Sequence, residues 1–194
     1  MGKYKNDHVN ENLAHLKQKK LFLFDIDGTI ALSEDVLDGT MDLLAYIKKI
    51  GGREIYITNN SSKSTADYVK KFERMGIEAE DDDFVTAGSY TLSYLLEHHV
   101  TDKIFVMATA SYYNELKKND LCVTTDCDAS VDIVLTAFDT ELTFEKVEKA
   151  CRLLMDPKKE RIWLATNADL RCPVDFGMIP DCGSICNMLQ TATD

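Results

Sequence analysis

Two carboxylates stand two residues apart in the stretch LFLFDIDGTI, where Asp25 and Asp27 follow an apolar run and precede a glycine. A continuous run such as Leu21-Phe22-Leu23-Phe24 reads as a strand buried on both faces of a parallel sheet, and Gly28 marks a sharp turn at its end. Acids at that spacing, separated by a glycine-enabled turn, can face one small volume. The chemistry that suits them is metal-assisted attack on phosphorus. Mg²⁺ prefers oxygen ligands and keeps several waters, so one or two carboxylates and a substrate phosphate suffice. Asp25 would then act as an oxygen nucleophile. Asp27 would protonate the leaving oxygen and later activate water. The bland alternative is a pair of turn residues. The five-residue pattern DxDGT, however, arises by chance in on the order of one in several hundred chains.

A second polar cluster, Thr58-Asn59-Asn60-Ser61-Ser62, follows the next apolar stretch, Glu54-Ile55-Tyr56-Ile57. Such residues commonly punctuate turns. Directly after a second strand, they offer hydroxyl and amide donors where the first cluster offers acids. In open parallel sheets, ligands bind beyond the carboxyl ends of the strands. Thr58, Asn59 and Asn60 are therefore candidate phosphate-binding residues, aided by the N-terminus of the helix expected to follow.

The elements that must position these clusters alternate. A short polar helix is expected over residues 9–19. Helices are expected over about 38–50, 64–75, 90–98, 111–118, 143–154 and 182–192, with Thr143 capping the fifth of these. Strands are expected over 21–24, 54–57, 103–108, 131–138 and 161–166. Strand, helix, strand with short links is the pattern of parallel βαβ units, so the fold class is α/β. The acidic run Asp81-Asp82-Asp83 reads as a solvated turn, and the best boundary between two α/β blocks lies near residue 100, giving divisions of 1–100 and 101–194.

Composition bounds the rest. The chain has 194 residues, 45% of them hydrophobic, which is ample for a core, and a formal net charge of −11. An acidic surface argues against nucleic acid or an anionic membrane as partner, since both need a basic footprint. The N-terminus lacks an apolar signal region and no stretch approaches a membrane span, so a cytoplasmic location is expected. The six cysteines include no CxxC pair; Cys182 and Cys186 stand as CxxxC, and all six are expected to be reduced, partly buried thiols.

LFLFDIDGTI and YITNNSSKS resemble the haloacid dehalogenase superfamily of phosphohydrolases. VDIVLTAFDTELTFEKVEKACRLL and RIWLATNADLRCPVDFGMIPDCGSICNMLQTATD look like the large α/β cap of its NagD-like, p-nitrophenyl phosphatase branch. The resemblance covers about residue 19 to the end. It implies part of a Rossmann-like core carrying an α/β cap, and Mg²⁺-dependent hydrolysis of a small phosphorylated metabolite through an aspartyl-phosphate. By position, it assigns Asp25 as nucleophile and magnesium ligand, and Asp27 as acid/base with a carbonyl on the metal. Thr58 and the Asn59 backbone bind phosphate, with Asn60 nearby. The cap loop, here Asn167 to Pro180, selects substrates. Cys172 stands where some relatives carry a substrate-contacting histidine, so their preferences do not transfer. Family members continue into a glycine-lysine segment and a further acidic segment, which the resemblance places beyond Asp194. The chain is therefore expected to lack the phosphate-neutralising lysine, for which exposed Lys63 is no substitute. It is also expected to lack a third metal acid, and to leave a sheet face that invites aggregation or pairing as a homodimer. A phosphotransferase or mutase using the same aspartate, and a non-catalytic binding module, are the alternative readings.

Overall fold

The computed structural model describes residues 18–174 and 176–194. The helix expected over residues 9–19 lies almost entirely outside them. The chain divides into two compact units, residues 1–57 and 58–194. Residue 100, near which the sequence places a boundary, lies within the second of these units, just before a strand of its sheet.

In the first unit, β1 (Leu21–Asp25) pairs in parallel with β4 (Arg53–Thr58), Leu21 opposite Arg53 and Asp25 opposite Ile57. Between them come a small hairpin, β2 (Ala31–Leu32) with β3 (Asp35–Val36), and the crossover helix α1 (Thr40–Lys49). Phe22, Phe24 and Tyr56 point to one face, where Phe24 stacks at 6.4 Å on Phe22 and on Tyr56. Ile47 and Phe22 close tightly around Gly52, where α1 turns into β4. The other face corrects the expectation of two-sided burial: Leu21 and Leu23 are 56% and 59% exposed, and Ile57 is also exposed. An unbroken apolar run shows that a strand can be covered on both sides, not that it is.

The second unit is built on a parallel sheet in the order β7 (Val123–Thr124), β6 (Ile104–Met107), β8 (Ile133–Thr136), β9 (Ile162–Ala165). Side chains alternate across a strand, so one sheet feeds two cores. Ile104, Val106, Ile133 and Leu135 pack with Leu95 of α3 (Ala87–His98) and with Tyr112 and Leu116 of α4 (Ala110–Lys118). Phe105, Met107 and Val134 pack with Val147, Ala150 and Leu153 of α5 (Phe144–Leu154) and with Ile185 and Leu189 of α6 (Cys182–Thr193). The Arg161 guanidinium, itself buried, ties α5 to β9 by donating to the carbonyls of Leu153 and Val131 and to Asp156. Helix α2 (Thr65–Arg74) packs Tyr68 and Phe72 against Phe84 of the short strand β5 (Phe84–Thr86).

Helix starts follow side-chain chemistry. Ser64, Thr86, Thr109, Thr143 and Asp181 each accept a backbone N–H at the first turn, and Ser64 with Asp67 closes a reciprocal capping box. The expected cap at Thr143 is present. The Asp81–Asp83 run forms a single 3-10 turn. The expected loop from Asn167 to Pro180 is corrected: it carries an antiparallel hairpin, β10 (Arg171–Val174) with β11 (Gly177–Pro180). Two prolines and a glycine masked it, since proline is read as a strand breaker although edge strands tolerate it.

The hairpin's base is clamped to α6. Gly183 N–H donates to the Asp169 carbonyl at 2.8 Å, the Ser184 hydroxyl to the Leu170 carbonyl at 2.5 Å, and Asp181 N–H to the same carbonyl at 3.2 Å. A methyl at Gly183 would overlap the Ala168 carbonyl oxygen, a backbone atom with little room to yield. Gly183→Ala is therefore expected to destabilise the protein by about 1–3 kcal/mol. Urea unfolding would show it as a lowered midpoint at unchanged slope, and an unchanged midpoint would contradict the packing.

Candidate active site

The Asp25–Asp27 segment takes its shape from the residue between the acids. The Ile26 side chain is fully buried, and its carbonyl accepts three N–H groups, from Thr29 at 3.3 Å, Ile30 at 3.0 Å and Ala31 at 3.2 Å. The chain therefore doubles back within five residues. Gly28 takes φ +87° in that turn and donates its N–H to the Ala31 carbonyl at 2.9 Å, in the left-handed region that glycine enters without steric cost. With Ile26 directed inward, its neighbours Asp25 and Asp27 are both exposed. The two acids sense one another. Partial burial raises the Asp25 pKa above its ordinary value, the Asp27 charge adds to that rise, and a backbone hydrogen bond at Ile26 opposes it. The structure thus brings the first two candidates together, with a mutual repulsion that a cation would relieve.

The second cluster is equally ordered. Thr58, buried at the end of β4, follows Ile57, the register partner of Asp25. Its hydroxyl accepts the Asn60 N–H at 3.2 Å. The Asn60 side-chain oxygen accepts from the Ser62 N–H at 2.8 Å and the Ser62 hydroxyl at 2.7 Å, so it is occupied within the turn. Asn59 and Lys63 are exposed.

Residues that sequence reasoning passed over hold this turn. Ser61 is fully buried; its hydroxyl accepts the Phe138 N–H at 2.9 Å and lies 2.7 Å from the Thr166 hydroxyl. The Thr109 hydroxyl donates to the Ser62 carbonyl at 2.8 Å. Thr109, Phe138 and Thr166 lie just beyond the carboxyl ends of β6, β8 and β9. Three strand ends of the second unit's sheet therefore converge on the turn that opens that unit. Nearby in sequence, Asp139 has a completely buried side chain paired with Lys146 at 2.7 Å, and Lys146 also donates to the Ala108 and Glu141 carbonyls. Thr109, Asp139 and Thr166 carry a signal in the sequence, being polar residues at the carboxyl ends of expected strands.

Cys172 sits half-buried on β10, opposite Ile179. At the hairpin tip Phe176 is 84% exposed. Among the described residues, no three histidine, cysteine or acidic side chains converge as a metal site, and no helix is long and apolar enough to cross a membrane. Of the cysteines, Cys122 and Cys127 are exposed rather than partly buried, and all six are free thiols.

A model of the haloacid dehalogenase-like hydrolase family matches residues 22–122, just over half the chain. The acid sugar phosphatase of Staphylococcus aureus is 27% identical over 178 residues, which cover 92% of this chain and 67% of that protein. The 4-nitrophenylphosphatase of Thermotoga maritima is 34% identical with a TM-score of 0.81, over 92% of this chain and 66% of that one. The fold is also similar to that of glycerol phosphate phosphatase from Mycobacterium tuberculosis in complex with magnesium, with a TM-score of 0.80 at 22% identity, over 92% and 53% of the respective chains. The chain thus spans about two thirds of the length of the first two relatives and about half of the third.

The Ser61 junction has a measurable consequence. Ser61→Ala leaves the buried Phe138 N–H without an acceptor and is expected to cost about 1–3 kcal/mol. Thr166→Val should cost less, because Ser61 still serves Phe138. Denaturant titration of the two variants tests that order, and the reverse order would discard the junction as described.

Proposed function

We propose that this chain, which belongs to the haloacid dehalogenase-like hydrolase family, carries the nucleophile and the acid/base of a phosphomonoester hydrolase acting on small phosphorylated sugars or similar metabolites. The observation that carries the reading is the exposed, mutually repelling Asp25–Asp27 pair at the tip of a parallel strand. The phosphatase relatives support the reaction class, and the acid sugar phosphatase supports the substrate class.

In this reading the Asp25 carboxylate attacks phosphorus and the ester oxygen leaves, giving an aspartyl-phosphate. Asp27 donates a proton to the departing oxygen, then takes one from the water that attacks the phosphoryl group and frees Asp25. The Thr58 hydroxyl and Asn59 N–H hold phosphoryl oxygens, with Asn60 bracing the turn through its side chain. Cys172, on the hairpin that carries exposed Phe176, belongs to the substrate-selecting face.

The donor set fits a hard cation. Asp25 gains from any positive charge that offsets its burial and the Asp27 carboxylate, and Mg²⁺ accepts one or two carboxylates with water completing its shell. The Asp25 carboxylate and the Asp27 carbonyl would hold it, and when bound it would screen the nucleophile's charge from that of the phosphate.

Two measurements with p-nitrophenyl phosphate test this. Asp25→Asn is expected to reduce phosphate release by about 10³-fold or more, equivalent to about 4 kcal/mol of barrier; equal turnover would remove Asp25 from the mechanism. Chelation of divalent metal is expected to abolish release and added Mg²⁺ to restore it, whereas chelator-resistant turnover would remove the metal.

A further inference from the structure

The chain enters and leaves the hairpin past two acids, and one side chain touches both. Asp169 lies two residues before β10, and Asp181 directly follows β11. The Asn167 side-chain nitrogen donates to Asp169 Oδ2 at 3.3 Å and to Asp181 Oδ1 at 3.1 Å, so one amide bridges the two legs of the hairpin's base. Buried Asp181 also holds the start of α6 through the Cys182 N–H. The two carboxylates fix which way the amide faces. Turned over, its oxygen would meet acceptors and its donors would lose theirs. The Asn167 oxygen is therefore left for Thr166.

From there the direction of each hydrogen bond follows. The single Thr166 proton has two acceptors in reach, the Asn167 oxygen at 3.1 Å and the Cys182 sulfur at 3.7 Å. The oxygen is nearer and is the stronger acceptor. With its proton so used, the Thr166 hydroxyl accepts from Ser61, 2.7 Å away. Ser61, fully buried, accepts in turn from the Phe138 N–H at 2.9 Å. Each proton in the series points toward the hairpin, and the series passes through the Thr58–Ser62 turn at Ser61.

We infer that Asn167, acting through Thr166 and Ser61, is a positioning residue that makes phosphate binding at the Thr58–Ser62 turn depend on closure of the hairpin's base. The inference rests on the reading of that turn as the phosphate-binding element. Parting Asp169 from Asp181 takes an acceptor from the Asn167 amide, which is then free to rotate and no longer orients the Thr166 proton. Thr166 turns to the Cys182 sulfur or back toward Ser61, and Ser61 loses its fixed place. Asn59 and Asn60 directly precede Ser61, so the N–H groups that face phosphate shift with it. Thr109 still holds the turn through the Ser62 carbonyl, so the turn loosens without being released. A ligand that draws the hairpin's legs together tightens the grip on phosphate, and one that spreads them weakens it. The effect falls on binding rather than on the chemical step, because the turn meets phosphoryl oxygens in substrate and transition state alike.

Thr166→Val and Asn167→Ala each cut the series, whereas Thr166→Ser keeps its hydroxyl. With p-nitrophenyl phosphate and Mg²⁺, both cutting variants are expected to raise KM about tenfold while kcat stays within about twofold, the mark of binding lost equally from substrate and transition state. Thr166→Ser is expected to keep the wild-type KM. The double variant is expected to match the worse single one, because one series is not cut twice. A KM raised by the product of the two single effects would overturn the series. So would a fall in kcat at unchanged KM, which marks a merely structural loss. Hydrogen exchange reads the link without turnover. Asn167→Ala is expected to speed exchange about tenfold at the Asn60 and Ser62 amides while α4 stays protected as in the wild type. Unchanged exchange in the turn, or faster exchange throughout the protein, overturns the inference. If the wild-type protein releases no phosphate, the proposed reaction fails, and the exchange result alone decides the link.

Discussion

Placing Asp25 and Asp27 side by side in solvent depends on how Ile26 is held between them. Its side chain is fully buried while its carbonyl gathers three N–H groups. Alternation along the strand then leaves the flanking carboxylates no inward option. Two like charges so placed repel, and partial burial adds to their cost, as the raised Asp25 pKa records. The interior of the first unit maintains an arrangement that the acids by themselves would oppose. This is the usual relation between a stable scaffold and a reactive site built upon it.

The second unit solves a related problem with hydroxyls rather than apolar side chains. Beyond the carboxyl ends of β6, β8 and β9, backbone groups leave the sheet ladder and need partners. Ser61, Thr109 and Thr166 supply them, tying the Thr58–Ser62 turn to three strands at once. Each hydroxyl can donate and accept, so a short chain of them satisfies Phe138 N–H, the Ser62 carbonyl and, through the single Thr166 proton, either the Asn167 side-chain oxygen or the Cys182 sulfur. The turn read as phosphate-binding and the start of α6 thus share one hydrogen-bonded network. A buried polar network of this kind specifies one arrangement more sharply than an apolar contact would, because each unsatisfied member is costly.

The hairpin from Arg171 to Pro180 shows how one segment takes opposite roles at its two ends. At its base, close approach to α6 leaves no room even for a methyl at Gly183. At its tip, Phe176 stands in solvent. A rigid base with an exposed aromatic tip suits a surface that discriminates among small ligands, since loops positioned by a firm scaffold are where recognition concentrates.

Much of this was decided by local sequence. The apolar period placed the helices and central strands within a few residues, because burial demands it. DIDGT announced a turn bearing two acids, because only glycine takes that backbone angle cheaply. Thr143 announced its helix, because a hydroxyl there replaces a missing backbone partner. Local sequence could not reveal that Leu21 and Leu23 lie exposed, since coverage of a sheet face is set by whatever packs on it. Nor could it reveal the hairpin hidden by Pro173 and Pro180, whose pairing forms between strands. Ser61 looked like one more turn serine; its partners, Phe138 and Thr166, lie far along the chain, and only folding brings them to it.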